Sequence, residues 1–520
     1  MIGVELPTRS ATAPVATPPA RWTLARAPEL LTIAVVAALL LGIVLRFVVG
    51  RDLPLWIDET WTGGVISQPT LAAMLEQSLL DANAPVYYVF MYLWTALFGL
   101  SDAALRFPSL VFGVGAPLVA LLATKGMDRT TRLTWCGLIA LWVPALWYAQ
   151  EARCYSLVLC LATACTVAHV RLLAQPSMRA TVIWASLGTL AILTQYHALV
   201  LVGCQGLGYL ALHRERALRT WPAALVFVPA AVWIVIHYPR LSEFAHSNAG
   251  WQPLLELKHV PEIVDFVIGD IRLAVVLAVL VAILLVLARR NRPASQPAQV
   301  FEAQRGAIVA ALAAIAGAIV TIVVGVLLPS FTTRYLMPFM PGVLLGFALV
   351  TTHFGRRWAA VPAAAVLLYG IFALVWADER SRATGKSFNF EYASSELAKS
   401  GVDHLAFLWD NPLTPVLQPS QLEAMGGFFF RRQHAVPVTA VILRPGDDPN
   451  DRLLAAARGN HPALLWLYDS NVHGTAAISH PPRIERHDPA WVCRNFGKGS
   501  FGVIACHRAT RANHPARVRP

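Results

Sequence analysis

The chain has 520 residues, of which 56% are hydrophobic and only 14% charged, with a mean hydropathy of +0.54. Soluble domains carry roughly a quarter charged residues, so the composition excludes a water-solvated protein and fits one solvated by a bilayer. The net charge of +12 does not imply a nucleic-acid partner, because Lys and Arg gather between apolar runs, as in the cytoplasmic loops of membrane proteins.

Residues 1–29, rich in Ala, Pro and Thr, read as a disordered cytoplasmic tail. The apolar run Leu30–Val49 follows Arg21 and Arg26, is long, and lacks a convincing small-residue cleavage site. It is therefore expected to be an uncleaved first span and not a signal peptide. Ten more spans are expected at about 107–124, 133–148, 156–174, 180–195, 198–212, 221–236, 271–288, 305–328, 335–352 and 358–376. Residues 30–376 thus form a polytopic α-helical membrane domain whose first external loop runs from 50 to 106.

The apolar stretch 85–100 decides the topology. If it lies in the interface, the cytoplasmic segments (the N-terminal tail, 125–132, 171–179, 213–220, 289–305 and 353–357) hold 17 Lys and Arg, and the longer opposite loops hold 6. A crossing at 85–100 would invert that bias, against the positive-inside rule. At about 1.5 Å per residue the stretch reaches ~24 Å, short for a hydrocarbon core of about 30 Å. Tyr87, Tyr88, Tyr92 and Trp94 suit the aromatic interface. The expectation is eleven crossings, with a cytoplasmic N-terminus and an extracytoplasmic C-terminus, in a bacterial inner or plasma membrane.

With this topology the ionisable residues of chemical interest share the external face. In Trp56-Ile57-Asp58-Glu59-Thr60-Trp61, two adjacent carboxylates lie between tryptophans. Desolvation and mutual repulsion raise a carboxylate's pKa and suit it as a base toward a hydroxyl; the competing reading is a solvated acidic loop. Asp81-Ala82-Asn83-Ala84-Pro85-Val86-Tyr87-Tyr88 begins the interfacial helix, with Pro85 well placed at its first position and Asn83 as an ordinary cap or as a substrate contact. In the short turn Tyr148-Ala149-Gln150-Glu151-Ala152-Arg153-Cys154-Tyr155, Arg153 can bind a phosphate bidentately with Glu151 orienting it, or the two can form a structural pair. Gln195-Tyr196-His197 is another tight outer turn, where a lone His is most simply structural. Phe331-Thr332-Thr333-Arg334-Tyr335 brings Arg334 and Tyr335 to the same face, where Arg334 can also snorkel to lipid head groups.

From about residue 377 the composition changes to short apolar runs among Pro, Gly, Asp and His, which reads as a small extracytoplasmic α/β domain over 377–520. Strands are expected at His404–Trp409, Ala463–Leu467 and Gly502–Cys506, and helical turns at Ser394–Lys399 and Asp451–Arg458. Cys136, Cys160, Cys165 and Cys204 read as small buried hydrophobes, and Cys493 and Cys506 could form a disulfide outside the cytoplasm. No CxxC or His/Cys cluster suggests a zinc site.

In this order the motifs resemble those of the multi-spanning GT-C glycosyltransferases, in the bacterial group similar to protein O-mannosyltransferases and lipid A aminoarabinose transferases. The segments are Asp58-Glu59, Pro85-x-Tyr87-Tyr88, Leu97-Phe98-Gly99, Leu105-Arg106-Phe107-Pro108-Ser109, Gln150-Glu151-Ala152-Arg153-x-Tyr155, Tyr196-His197 and Arg334-Tyr335-Leu336-x-Pro338, spread over about residues 30–350. The resemblance implies transfer of a sugar from a polyprenyl-phosphate donor to an acceptor hydroxyl of a protein, lipid or envelope glycan at the outer bilayer face, with inversion. Asp58 would be the base with Glu59 in support. Arg153 and Arg334 would hold the donor phosphate, and Asn83, Tyr87, Tyr88, Glu151, Tyr155, His197 and Tyr335 would line the substrates. Family members often have His-Pro-Pro before the tyrosine pair, whereas this chain has Asn83-Ala84-Pro85. No cofactor is required, although Asp58 and Glu59 could share a divalent cation with the phosphate. The rival readings are a flippase or transporter, which tends to carry midplane charges or broken helices, and a noncatalytic envelope assembly protein.

Overall fold

Inside hydrocarbon every backbone N–H and C=O must be satisfied within its own segment, so long apolar runs fold as helices. The structure is a computed structural model that describes residues 27–246, 254–290, 297–355, 360–383, 389–402, 404–410, 417–434, 438–442, 455, 463–469, 484, 488–496 and 501–509. Helix α1 (Ala27–Val48) leads into three short helices, α2 (Ile57–Ile66), α3 (Leu71–Leu80) and α4 (Pro85–Phe98). Then follow α5 (Asp102–Ala120), α6 (Arg129–Leu141), α7 (Val143–Tyr148), α8 (Tyr155–Ala174), α9 (Met178–Ile192) and α10 (Ala198–His213). The bundle continues with α11 (Glu215–Arg219), α12 (Val228–His246), α13 (Val260–Ile268), α14 (Ile271–Arg290), α15 (Pro297–Leu327), α16 (Met340–Gly355) and α17 (Val361–Ala383).

All eleven predicted spans fall on helices, but not all at full length. Among the described residues seven helical stretches are long and apolar enough to cross a membrane, eight if α13 and α14, bent by 77°, count as one. The bend falls at Gly269, whose φ of 107° is left-handed and open to a residue without Cβ. The predicted span 133–148 is divided into α6 and α7 at Trp142, just before Pro144. The two spans at 180–195 and 198–212 become helices of 15 and 16 residues, too short at about 1.5 Å per residue to cover ~30 Å upright. Length and composition thus support seven or eight full crossings among the described residues, against the eleven expected.

Contacts between loops sort the bundle into two ends. At one end Lys125 bonds Gln175, Arg129 bonds Thr32, His213 bonds the Leu173 carbonyl, and Gln304 bonds Thr131. These are the loops expected to face the cytoplasm. At the other end, contacts join 52–59, 106, 149–153, 334 and 378–382. Both ends of α4 lie at this second end: Val86 N donates to Leu193 O at 2.9 Å, and soon after α4 Arg106 reaches the carbonyls of Leu53 and Pro54. The helix of 14 residues therefore returns to the side it left, as the charge distribution required. A cysteine at Ser101 should accordingly be labelled by impermeant thiol reagents from the same side as the sheet domain; labelling from the opposite side only would overturn this arrangement.

The C-terminal part contributes α18 (Asn389–Lys399), β1 (Leu405–Asp410), α19 (Pro419–His434), β2 (Val438–Ile442), β3 (Ala463–Asp469), β4 (Trp491–Asn495) and β5 (Phe501–Arg508). The sheet order is β2-β1-β3-β5-β4, with β1 parallel to β2 and β3, and β5 antiparallel to β3 and β4. All three predicted strands appear as β1, β3 and β5, and Ser394–Lys399 lies within α18. The predicted turn Asp451–Arg458 lies outside the described residues apart from Ala455. Cys493 and Cys506 face each other across β4 and β5 and are joined by a disulfide. Cys136, Cys154 and Cys165 are buried, while Cys160 and Cys204 are half-buried.

Candidate active site

Helix α2 opens with Asp58 and Glu59 in its first turn, where acidic groups meet the positive end of the helix dipole. From there the two side chains diverge. Glu59 is buried and accepts four hydrogen bonds: from Arg106 Nε (2.9 Å) and Ala152 N (2.8 Å) on Oε1, and from Arg106 Nη2 (2.8 Å) and Trp56 N (3.1 Å) on Oε2. Arg106, also buried, donates in addition to Leu53 O (2.7 Å) and Pro54 O (3.0 Å). This knot ties the loop before α2 to the start of α5 and to the 149–154 turn. Removing either partner would leave a buried charge uncompensated, typically at a cost of about 3–5 kcal/mol.

Asp58 instead turns to Arg334 and stays partly exposed. Its Oδ2 accepts from Arg334 Nη1 at 2.8 Å, joining residues 276 positions apart, with the Asp58 and Arg334 side chains 19% and 15% exposed. Arg153 approaches from a third segment, its Nη1 donating to Asp58 O at 3.1 Å and to Thr62 Oγ1 at 3.3 Å. Its Nε is buried with no hydrogen-bond partner among the described residues. Burial opposes the charge on Arg153, but the nearby Tyr155 and Asp58 outweigh it, so its pKa is raised and the guanidinium stays charged. The turn that presents it is short, and Ser109 Oγ fixes it from α5 by donating to Glu151 O at 2.6 Å. Glu151 itself is buried.

The other predicted residues surround this centre. Asn83, Ala84, Tyr87, Tyr88, Arg153 and Cys154 line a small cavity. Asn83 does not cap α4, whose cap residue is Ala84; its Nδ2 donates to Asp81 Oδ2 at 2.9 Å, and the Tyr88 hydroxyl donates to the same oxygen. Burial raises the pKa of both Tyr87 and Tyr88, which keeps their hydroxyls protonated. The Arg153 guanidinium lies 6.0 Å from the Tyr155 ring centroid, within cation–π range. His197 stacks on Tyr335 with centroids 4.1 Å apart, and burial pushes its pKa down to about 4, so it packs there as a neutral ring. All eleven candidate residues thus belong to one connected region at one end of the bundle.

Three contributors went unassigned by sequence reasoning. Arg106 sits in a recognisable Leu-Arg-Phe-Pro stretch, and a lone cation at the start of an apolar helix is itself a signal. Asp81 lay in a noted segment, but its link to the bundle could not be read from sequence: His237 Nε2 donates to Asp81 O at 2.8 Å, which leaves Nδ1 to accept from the Tyr196 hydroxyl at 2.6 Å. Thr62 carried no signal beyond standing one turn after Asp58. As for a cation, both oxygens of Glu59 are already engaged by N–H donors, and Oδ2 of Asp58 by Arg334. Among the described residues no group of three or more His, Cys, Asp or Glu is placed to hold a metal ion.

No protein-family model matches the chain, and no curated protein does. Apo ArnT from Cupriavidus metallidurans, however, superposes with a TM-score of 0.55 at 14% identity, over 92% of this chain and 98% of that one. The chain has the GT-C fold. ArnT bound to undecaprenyl phosphate aligns over the same shares at a TM-score of 0.49 and 13% identity. The oligosaccharyltransferase AglB of Archaeoglobus fulgidus, in complex with an inhibitory peptide and a dolichol-phosphate, aligns over 85% of this chain and 70% of that one at 0.46 and 11%. At such identities the likeness establishes the GT-C fold of a multi-pass membrane protein, and the substrates must be argued from the chemistry of the site.

Proposed function

We propose that the protein is a glycosyltransferase that moves a sugar from a polyprenyl-phosphate donor to an acceptor hydroxyl at the extracytoplasmic face of the membrane. The observation that carries this reading is the convergence of Asp58, Arg153 and Arg334 from three distant segments, Arg334 Nη1 on Asp58 Oδ2 and Arg153 Nη1 on Asp58 O, at the end of the bundle opposite the loops expected to face the cytoplasm. A lipid phosphate at that level calls for cationic recognition, and planar guanidinium groups suit phosphate geometry. The acceptor oxygen attacks the anomeric carbon, its proton passes to Asp58, and the bond from that carbon to the phosphate oxygen breaks. The charge left on the polyprenyl phosphate falls to Arg153 and Arg334, a form of electrostatic stabilisation that dominates many transfer reactions. Attack opposite the leaving phosphate inverts the sugar.

Glu59 serves in this scheme as a positioning residue, held by Arg106, that fixes the first turn of α2. Asn83, Tyr87, Tyr88, Glu151, Tyr155, His197 and Tyr335 form the walls for sugar and carrier. ArnT, whose apo form shares the GT-C fold, was also crystallised with undecaprenyl phosphate, in keeping with a carrier of that class. The Cys493–Cys506 disulfide supports an oxidising, extracytoplasmic location for the sheet domain, and with it for the end of the bundle that carries Asp58. The test is a panel of polyprenyl-phosphate sugars presented to the purified full chain in lipid vesicles. Release of free polyprenyl phosphate dependent on an added acceptor is the expected result; inertness toward the whole panel, with lipid-linked glycans crossing the vesicle bilayer instead, would favour a flippase.

A further inference from the structure

Among the described residues the sheet domain meets the loop that carries Asp58 before α2, along it, and at the end of α3. Before α2, Leu55 N donates to Glu391 Oε2 of α18 at 2.6 Å. Along α2, Gly63 and Gly64 face α19 so closely that a Cβ on Gly63 would lie 2.5 Å from the ring of Phe428, and one on Gly64 2.9 Å from the Ala424 backbone. At the end of α3, Leu80 O accepts from Gln421 Nε2 of α19 at 2.8 Å and from Arg240 Nε at 2.8 Å, while Gln421 Oε1 accepts from Arg240 Nη2 at 2.9 Å. Phe428 is fully buried in this contact.

Helix α2 is therefore gripped from both sides. Asp58 and Thr62, one turn apart, meet Arg334 and Arg153 of the bundle. Gly63 and Gly64 meet α19. Two consecutive glycines weaken a helix of 10 residues by about 1 kcal/mol each relative to alanine, so their presence is best explained by the close approach they permit. With no side chain on that face of α2, the position of the helix, and of Asp58 with it, follows the position of Phe428.

We infer that the C-terminal domain is a positioning element for the catalytic base, with Phe428 of the domain and Gly63 of α2 as the positioning residues, and that its role for α2 is distinct from acceptor capture. The inference rests on the transferase reading. Displacing α2 by a few tenths of an ångström alters the path of the proton from acceptor to Asp58, whereas Arg153 and Arg334 touch α2 but are carried by other segments of the bundle. The domain thus acts on the chemical step.

The experiment compares wild type, Gly63→Ala, Phe428→Leu and the double variant Gly63→Ala/Phe428→Leu as full chains in vesicles, after matching yield and thermal stability. Gly63→Ala should lower kcat at least tenfold, with donor KM and acceptor KM each within about twofold of wild type. Phe428→Leu, which removes ring atoms facing Gly63, should restore at least a fivefold share of that loss in the double variant. A rise in acceptor KM at unchanged kcat would overturn the inference and make the domain an acceptor module, as would strictly additive effects in the double variant. If Gly63→Ala does not fold, Phe428→Leu alone carries the test through its effect on kcat against KM. An inactive wild type toward every donor would count against the transferase reading, an outcome distinct from any of these.

Discussion

Asp58→Asn should leave the protein folded and abolish sugar transfer, while its affinity for the carrier lipid phosphate rises. The first effect follows from the assigned chemistry. A positioned general base contributes about 10²–10⁴-fold to rate, and an amide cannot accept the acceptor's proton. Folding should survive because, although the Asp58–Arg334 contact is one grip on α2, the Glu59–Arg106 knot and the contact with α19 hold the helix without the Asp58 side chain, and asparagine can still accept from Arg334. The carbonyl that anchors Arg153 belongs to the backbone and is untouched by the substitution.

The rise in affinity follows from Arg334. In the structure its Nη1 is bound to Asp58 Oδ2, so an arriving phosphate shares that guanidinium with a carboxylate of the same sign as itself. Replacing Asp58 with a neutral amide removes the competitor and the repulsion between two anions a few ångströms apart, an interaction of kcal/mol size at partly buried sites. Carrier binding should tighten about fivefold or more, equivalent to ~1 kcal/mol. Both outcomes are measured on one preparation, transfer by product release and binding by titration with polyprenyl phosphate. Turnover near the wild-type rate would remove Asp58 as base; weaker carrier binding would remove Arg334 as the bridge between base and phosphate.

Which parts of this site were legible in the sequence follows from what sequence encodes locally. Charges are costly within apolar spans and so stand out at their ends; Asp58, Arg153 and Arg334 could be picked out for that reason, and α4 could be kept out of the membrane by its length and by the Lys and Arg distribution. Glu59 stood next to Asp58 and was grouped with it as a second acid. Its distinct environment comes from Arg106, 47 residues away, and from a backbone N–H at Ala152, neither of which periodicity can reveal. The broken span at Trp142 and the two shortened helices α9 and α10 reflect tertiary packing around apolar runs that look equivalent in hydropathy. Gly63-Gly64 carries no local signal beyond weak helix propensity, because a close approach is written half in each of two segments more than 350 residues apart.

Arg153→Ala should weaken carrier binding about 30-fold, or ~2 kcal/mol, and lower kcat as well. Hydrogen bonds to charged groups contribute more than neutral ones, about 1.5–3 kcal/mol, and Arg153 offers a buried guanidinium whose Nε has no hydrogen-bond partner among the described residues. The loss in kcat has a separate origin. Arg153 Nη1 bridges Asp58 O and Thr62 Oγ1 across the first turn of α2, so truncation frees the backbone that carries the base. Arg153→Lys separates the two contributions. A lysine keeps the charge but presents it as a single point without the planar fork, so it cannot hold α2 and meet a phosphate bidentately at once. Its carrier affinity should fall between those of wild type and the alanine variant, with kcat still depressed. Carrier binding is read by titration and kcat at saturating donor. Unchanged affinity in Arg153→Ala would exclude it from the phosphate site, and a lysine variant equal to wild type in both measures would reduce its role to charge alone.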